Sequence, residues 1–285
     1  MPDKIKYAIA RTHPVIHHLP QFRPIKRGAR QKAVERQYTS KNGETTVTIS
    51  MFKELDIADQ DLLLAILAIA LPHDRGAVLD LKKMNNTLIS DLELKGELTK
   101  FNTLSIKTNS YELIKELGKK KSAQAYEWLI DSLDRLCKTY IKIDTKKYIG
   151  GTNFLSYFIH KETKEIEIAI NPISAVVLMG DSDGYIFSNR HERLQLKYDT
   201  AKALHSVLVG LVNIHSSDTY AINMLIEKVY IVQFKLLNKD ERKNRKKAIM
   251  SAVSEINQLQ DWNIIILNNN RIKVSRNGDI TNPQW

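Results

Sequence analysis

The chain has 285 residues, 43% hydrophobic and 26% charged, enough for one large or two modest globular domains with a real core. Its net charge of +11 points to a polyanionic partner. A membrane-spanning helix is excluded, since the longest apolar run, residues 62–71, falls far short of the roughly 20 residues a bilayer needs.

Residues 1–36 carry Pro14, Pro20 and Pro24 and no clear periodicity, so they are expected to form a basic, largely extended N-terminal arm. Arg23, Lys26, Arg27, Arg30, Lys32 and Arg36 face one acid there, Glu35. The arm is expected to lie along phosphates or reach into a minor groove. No apolar core precedes a cleavage-like site, and Cys137 is the single cysteine, so a reducing, cytoplasmic setting is expected.

A first domain is expected over residues 37–180. Asn42-Gly43 suits a type I′ turn between two β-rich flanks, and a helix should follow to Leu71, closed by Pro72. Strands are expected at residues 77–81 and 104–108. Ser110 is expected to cap a short helix, YELIKEL, ended by Gly118. Ser122 should open a longer helix to Cys137, with Ala125, Leu129, Leu133 and Leu136 on its buried face. Strands at 140–145 and 165–170 are expected to form the hairpin after it, with 153–160 a third candidate. Asn171-Pro172 should open another helix, and the boundary is expected at the Gly180–Gly184 stretch.

The second domain, residues 181–285, repeats the order. Helices are expected at 199–214, 219–229 and 239–260, then a hairpin of NIIIL and RIKVS around Asn268-Asn269-Asn270. The expected fold class is therefore α+β: two tandem winged-helix (helix-turn-helix) domains behind a basic arm.

Lys239, Arg242, Lys243, Arg245, Lys246 and Lys247 crowd the first half of the last helix, where a recognition helix leads into the major groove. The matching turn in the first domain is Lys119, Lys120, Lys121, Ser122 and Gln124: lysines for phosphates, a helix N-terminus behind them, and an amide able to read adenine. Lys146 and Lys147, and Asn269, Asn270 and Arg271, are expected at wing tips. No phosphate-binding glycine loop and no His-Glu-x-x-His occurs, and one cysteine cannot build a cysteine zinc cluster, so no cofactor, metal or catalytic residue is expected. His13, His17 and His18 have the wrong spacing for the metal pair of a nicking enzyme. His205 and His215 read as packing or surface residues, and Cys137 as inert core.

Several blocks resemble one family in order and spacing: HLPQFRPIKRGARQK, the hairpin around Asn42-Gly43, DLLLAILAIALPHDRG, SYELIKELG, NPISAVVLMG, TAKALHSVLVGLV and ERKNRKKAIMSAVSEINQLQDWNIIIL. Across residues 19–274 they resemble the RepC-type replication initiators of IncQ-like plasmids, with a basic run here that is mostly lysine. The resemblance implies a non-enzymatic initiator that binds iterons in double-stranded origin DNA and promotes opening of an A·T-rich stretch. It also implies help in recruiting a separate hexameric helicase and other replication proteins, and a possible homodimer. The competing readings are a tandem winged-helix transcriptional regulator and, further off, a rolling-circle nickase.

Overall fold

The computed structural model describes residues 5–12, 17, 21–26, 28–39, 43–70, 77–79, 103–146, 149–170 and 186–278. The helix expected from Asn171, the boundary at 180–184, His13, His18, Arg27, Lys147 and most of the turn at 40–44 lie outside them.

The first strands are β1 (Ile9–Thr12), β2 (Phe22–Arg23), β3 (Lys32–Thr39), β4 (Thr45–Lys53) and β5 (Leu55–Asp56). Val47, Ile49 and Met51 are buried on alternate positions of β4, the period of a half-buried strand. Helix α1 (Ile57–Ala70) follows. Apart from Ala58 and Asp61 its residues are all buried, because it is apolar nearly all round and packs against both halves of the molecule.

Strands β6 (Ala77–Leu79) and β7 (Thr103–Asn109) lead to α2 (Ser110–Glu116) and α3 (Ala123–Cys137). Asn109, not Ser110, caps α2: its Oδ1 accepts the Glu112 amide at 2.9 Å. Gly118, at φ +62°, turns the chain out of α2, with its N–H bonded to the Lys115 carbonyl at 2.9 Å. Ser122 caps α3, its Oγ accepting the Ala125 amide at 3.1 Å.

The strands after α3 pair differently from the expected hairpin. Strands β8 (Thr139–Thr145) and β9 (Ile149–Asn153) extend the first hairpin into a sheet of order β3-β4-β8-β9. Strands β10 (Ser156–Ile159) and β11 (Glu165–Ile170) form their own hairpin, and β11 pairs with β7 in the order β10-β11-β7-β6. So 140–145 and 165–170 are not partners: backbone hydrogen bonds direct one to β4 and the other to β7.

The second half holds β12 (Ile186–Asn189), α4 (Arg190–Gln195), α5 (Asp199–Leu211), β13 (Ser216–Ala221), α6 (Ile222–Tyr230), α7 (Lys239–Ile256), β14 (Trp262–Leu267) and β15 (Arg271–Arg276). Residues 219–221, expected in the short helix, complete β13 instead, where Tyr220 opposes the fully buried Ile272. The sheet order is β13-β15-β14. Among the described residues, α1, β7, α2, α3, β10 and β11 follow the order helix, strand, helix, helix, strand, strand, as do α5, β13, α6, α7, β14 and β15, and in each sheet the last of the three strands lies between the other two. Strand β6 and the hairpin β8–β9 have no counterpart among the described residues of the second half.

The described residues between 5 and 39 are built into the fold rather than held apart from it as an arm. Strand β1 pairs antiparallel with β12, β2 runs parallel beside β5, and β3 belongs to a four-stranded sheet. The reason is electrostatic as well as hydrogen-bonded. Arg23 grips buried Glu54 with two bonds, 2.9 and 2.8 Å, and Arg36 meets the same carboxylate. Arg30 binds Asp56 and Asp59, the latter at 2.9 Å. Arginines that read as a free positive arm are held by acids just before α1 and in its first turn.

The halves are joined along α1 and α5 by a buried polar seam. Asp61 accepts from Arg193 and from Lys202 Nζ at 2.7 Å. Arg193 also donates to Gln60 at 2.8 Å, and Gln60 to Ser206 at 2.9 Å. Beside the seam, Arg190 pairs with buried Glu116 of α2 at 2.9 Å. Burial alone would raise the Asp61 pKa, but the charges of Arg193 and Lys202 outweigh it and hold the carboxyl below its ordinary value.

Candidate nucleic-acid interface

The basic residues of α7 lie in its first half because its apolar ridge starts late, with Ile249, Ala252, Val253 and Ile256 buried. Asn238 opens the helix with a capping box: its Oδ1 accepts the Glu241 amide at 2.9 Å, and Glu241 Oε2 accepts the Asn238 amide at 3.0 Å. At about 100° per residue, Asp240, Lys243, Asn244, Lys247, Ser251 and Ser254 fall within about 60° of the direction opposite that ridge. All six are exposed.

The two arginines behave differently. Arg242 lies over the Phe234 ring, 5.2 Å from its centroid, and donates to the Lys235 carbonyl at 2.8 Å. Arg245 lies 5.0 Å from the Tyr230 ring centroid, with its side chain only 22% exposed. Arg242 turns back to the segment linking α6 to α7, and Arg245 to the last residue of α6. Lys239 and Lys246 are exposed on the flank between these arginines and the outward stripe.

The matching residues of the first half are more engaged. Lys119 lies 4.4 Å from the Trp128 ring centroid and Lys121 3.8 Å from that of Tyr111. The Ser122 hydroxyl serves as the cap, while Lys120 and Gln124 are exposed. The outward face of α3, opposite Leu129 and Leu133, carries Gln124, Glu127, Asp131 and Asp134. Asp134 accepts from Tyr157 at 2.6 Å and from Lys138 at 3.1 Å, and the Tyr157 bond leads the causes that lower its pKa.

In the second half the hairpin turn has Asn269 at φ +65° and Asn270 at φ +61°, the left-handed region asparagine tolerates. Asn270 donates to Asn223 of α6 at 3.0 Å, while Asn269 and Arg271 are exposed. By strand order the corresponding hairpin of the first half is β10–β11, whose turn carries exposed Lys161 and Lys164. Lys146 lies instead between β8 and β9, paired with Glu44. Of the arm candidates, Arg23 and Arg30 sit in the ion pairs described above and Lys26 is exposed.

The structure thus brings together Lys239, Lys243, Lys246 and Lys247, and separates from them the arm arginines and Lys146. Sequence reasoning passed over Asn244, although the same 100° arithmetic would have found it, and Lys161 and Lys164, which only the strand pairing reveals. His205 is fully buried, bonded to Glu192 at 2.8 Å, and burial holds its pKa down. Among the described residues His160, Glu165 and Glu167 could share a metal ion, but Glu167 already pairs with Lys107 at 2.7 Å. No described helix is long and apolar enough to cross a membrane.

The family model for replication protein C (RepC) matches residues 4–278. The chain belongs to the RepC family. Among solved structures, it is similar to a selenomethionine derivative of domains 2 and 3 of RctB, at 10% identity and a TM-score of 0.52. That match covers 90% of this chain and 95% of the other. A second structure of RctB domains 2–3 matches at 10% identity and a TM-score of 0.51, over 94% and 98% of the two chains. No curated protein matches. The family makes this a replication protein, and the structural likeness is one of mixed α/β fold.

Proposed function

We propose that this RepC-family member is a plasmid replication initiator that binds iterons in double-stranded origin DNA through two winged-helix units. It promotes origin opening, helps recruit a separate hexameric helicase, and catalyses no reaction itself. The observation that carries the reading is α7: a capped helix, third in a helix-strand-helix-helix-strand-strand unit, with Lys239, Lys243, Lys246 and Lys247 exposed along its first half.

The mechanism is physical. Ammonium groups displace counterions condensed on the duplex, so affinity falls steeply with salt. The outward side chains of α7 meet base edges in the major groove, while the hairpin turns at 268–270 and 160–164 serve as wings. The seam of Asp61, Arg193 and Gln60 supports a fixed spacing between the units. With that spacing they could occupy grooves about one helical turn, roughly 34 Å, apart. Several copies side by side would then strain flexible T-A steps towards opening.

The test is a fluorescence-anisotropy titration against iteron duplex and scrambled duplex at several salt concentrations. The reading expects the iteron to bind on the order of a hundredfold tighter or more. Equal binding with the same steep salt slope would reduce the basic surface to a phosphate-binding patch and overturn it.

A further inference from the structure

Which side chains of α7 could read a base is a question of direction as much as charge. An arginine fork must be free to swing into the groove; Arg245 is largely covered, and Arg242, though exposed, is held by two contacts. Arg242 is stacked on Phe234 and bonded to the Lys235 carbonyl; Arg245 is stacked on Tyr230 and mostly covered. Arg242 fastens the first half of α7 to the segment after α6, and Arg245 fastens it to the end of α6. The stripe pointing away from the core carries Lys243, Asn244 and Lys247, with Asp240 before them and Ser251 after.

Lys243 and Lys247 are one turn apart, and Asn244 lies beside them on the same outward face. An asparagine amide makes two hydrogen bonds to the N6 and N7 edge of adenine, and a lysine ammonium donates to O6 or N7 of guanine. Such a stripe matches adenine beside guanine within a few base pairs of major groove.

Building on the DNA-binding reading above, we propose that Lys243, Asn244 and Lys247 determine base specificity, with Asn244 reading an adenine, and that Arg242 and Arg245 are positioning residues. The arginines hold the helix at the angle that brings the stripe to the bases.

The experiment is enrichment of a random-sequence duplex pool by the full-length protein, repeated with Asn244→Ala, Lys247→Ala, Arg242→Ala and Arg245→Lys. Affinities are then measured on the wild-type-enriched duplex and a scrambled one, with a thermal melt for each variant. Asn244→Ala should lose the adenine preference at one position and bind the enriched duplex roughly 5- to 150-fold more weakly. Its affinity for the scrambled duplex should be unchanged. Lys247→Ala should lose a neighbouring guanine preference. Arg242→Ala and Arg245→Lys should leave every preferred base in place and weaken both duplexes by the same factor.

If Asn244→Ala leaves the enriched motif intact, or Arg242→Ala erases a preferred base, the assignment is overturned while sequence-specific binding stands. If the wild-type protein enriches no motif, the DNA-reading function falls with it.

Discussion

The third helices of the two units are built on the same ridge with opposite faces. Leu129, Leu133 and Leu136 of α3 correspond in spacing to Ile249, Val253 and Ile256 of α7, all buried. The outward positions then correspond too: Gln124 to Asn244, Glu127 to Lys247, and Asp131 to Ser251. An amide is kept at the first and charge is inverted at the second. Helix α7 is also longer, 18 residues against 15, and the added residues are at its basic N-terminal end. In α3 the preceding lysines are drawn onto Trp128 and Tyr111. A shared place in the fold thus does not give two helices the same outward face; on the proposed DNA-binding function, α7 is the better partner because its outward face carries cations.

The largest effect should come from exchanging those charges. Lys243→Glu with Lys247→Glu should weaken duplex binding on the order of a hundredfold or more. The salt slope should also fall, because two cations at the DNA are replaced by anions. The mirror change, Glu127→Lys with Asp131→Lys, should strengthen binding to any duplex, because it removes repulsion from phosphates. Anisotropy titrations at two salt concentrations check both, and equal losses in the two variants would break the comparison.

The seam between the units should come next. Asp61→Ala leaves the buried guanidinium of Arg193 without its carboxylate, which typically costs about 3–5 kcal/mol. A urea melt measures this, and a loss under about 1 kcal/mol would mean that the seam does not hold the units together. The pH dependence has a definite sign. Because the folded Asp61 pKa lies below its ordinary value of 3.8, its contribution is complete above that value. It is lost as pH falls through the folded pKa. Asp61→Asn should flatten the melting temperature across that acidic window.

The caps should matter least. Asn238→Ala and Ser122→Ala should each cost about 1 kcal/mol in thermal melts, from the loss of a side-chain acceptor at a helix start. Only the Asn238 change should also weaken DNA binding, because only α7 presents cations in the turns that would fray.

Much of this was legible in local pattern. The period of Leu129, Leu133 and Leu136, the Ser122 cap, Gly118 and the hairpin around Asn269 follow from short-range rules that neighbouring residues alone enforce. Residues 165–170 were legible as a strand, but not that their partner is β7 rather than β8. The basic run of α7 was visible as charge, but not that Arg242 and Arg245 are drawn back onto Phe234 and Tyr230.

By itself, then, the sequence determined most of the helices, though not α4, many of the strands, the basic run and the family, since helix periodicity, caps and turns depend on residues within a few positions of one another. Tertiary structure alone decided which strands pair, where the arm arginines go and which cations face outward. Those outcomes depend on acids and rings far along the chain: Glu54 for Arg23, Phe234 for Arg242, β7 for β11. A cation is free to meet DNA only when no such partner within the fold has claimed it, and sequence order does not say which partners come within reach.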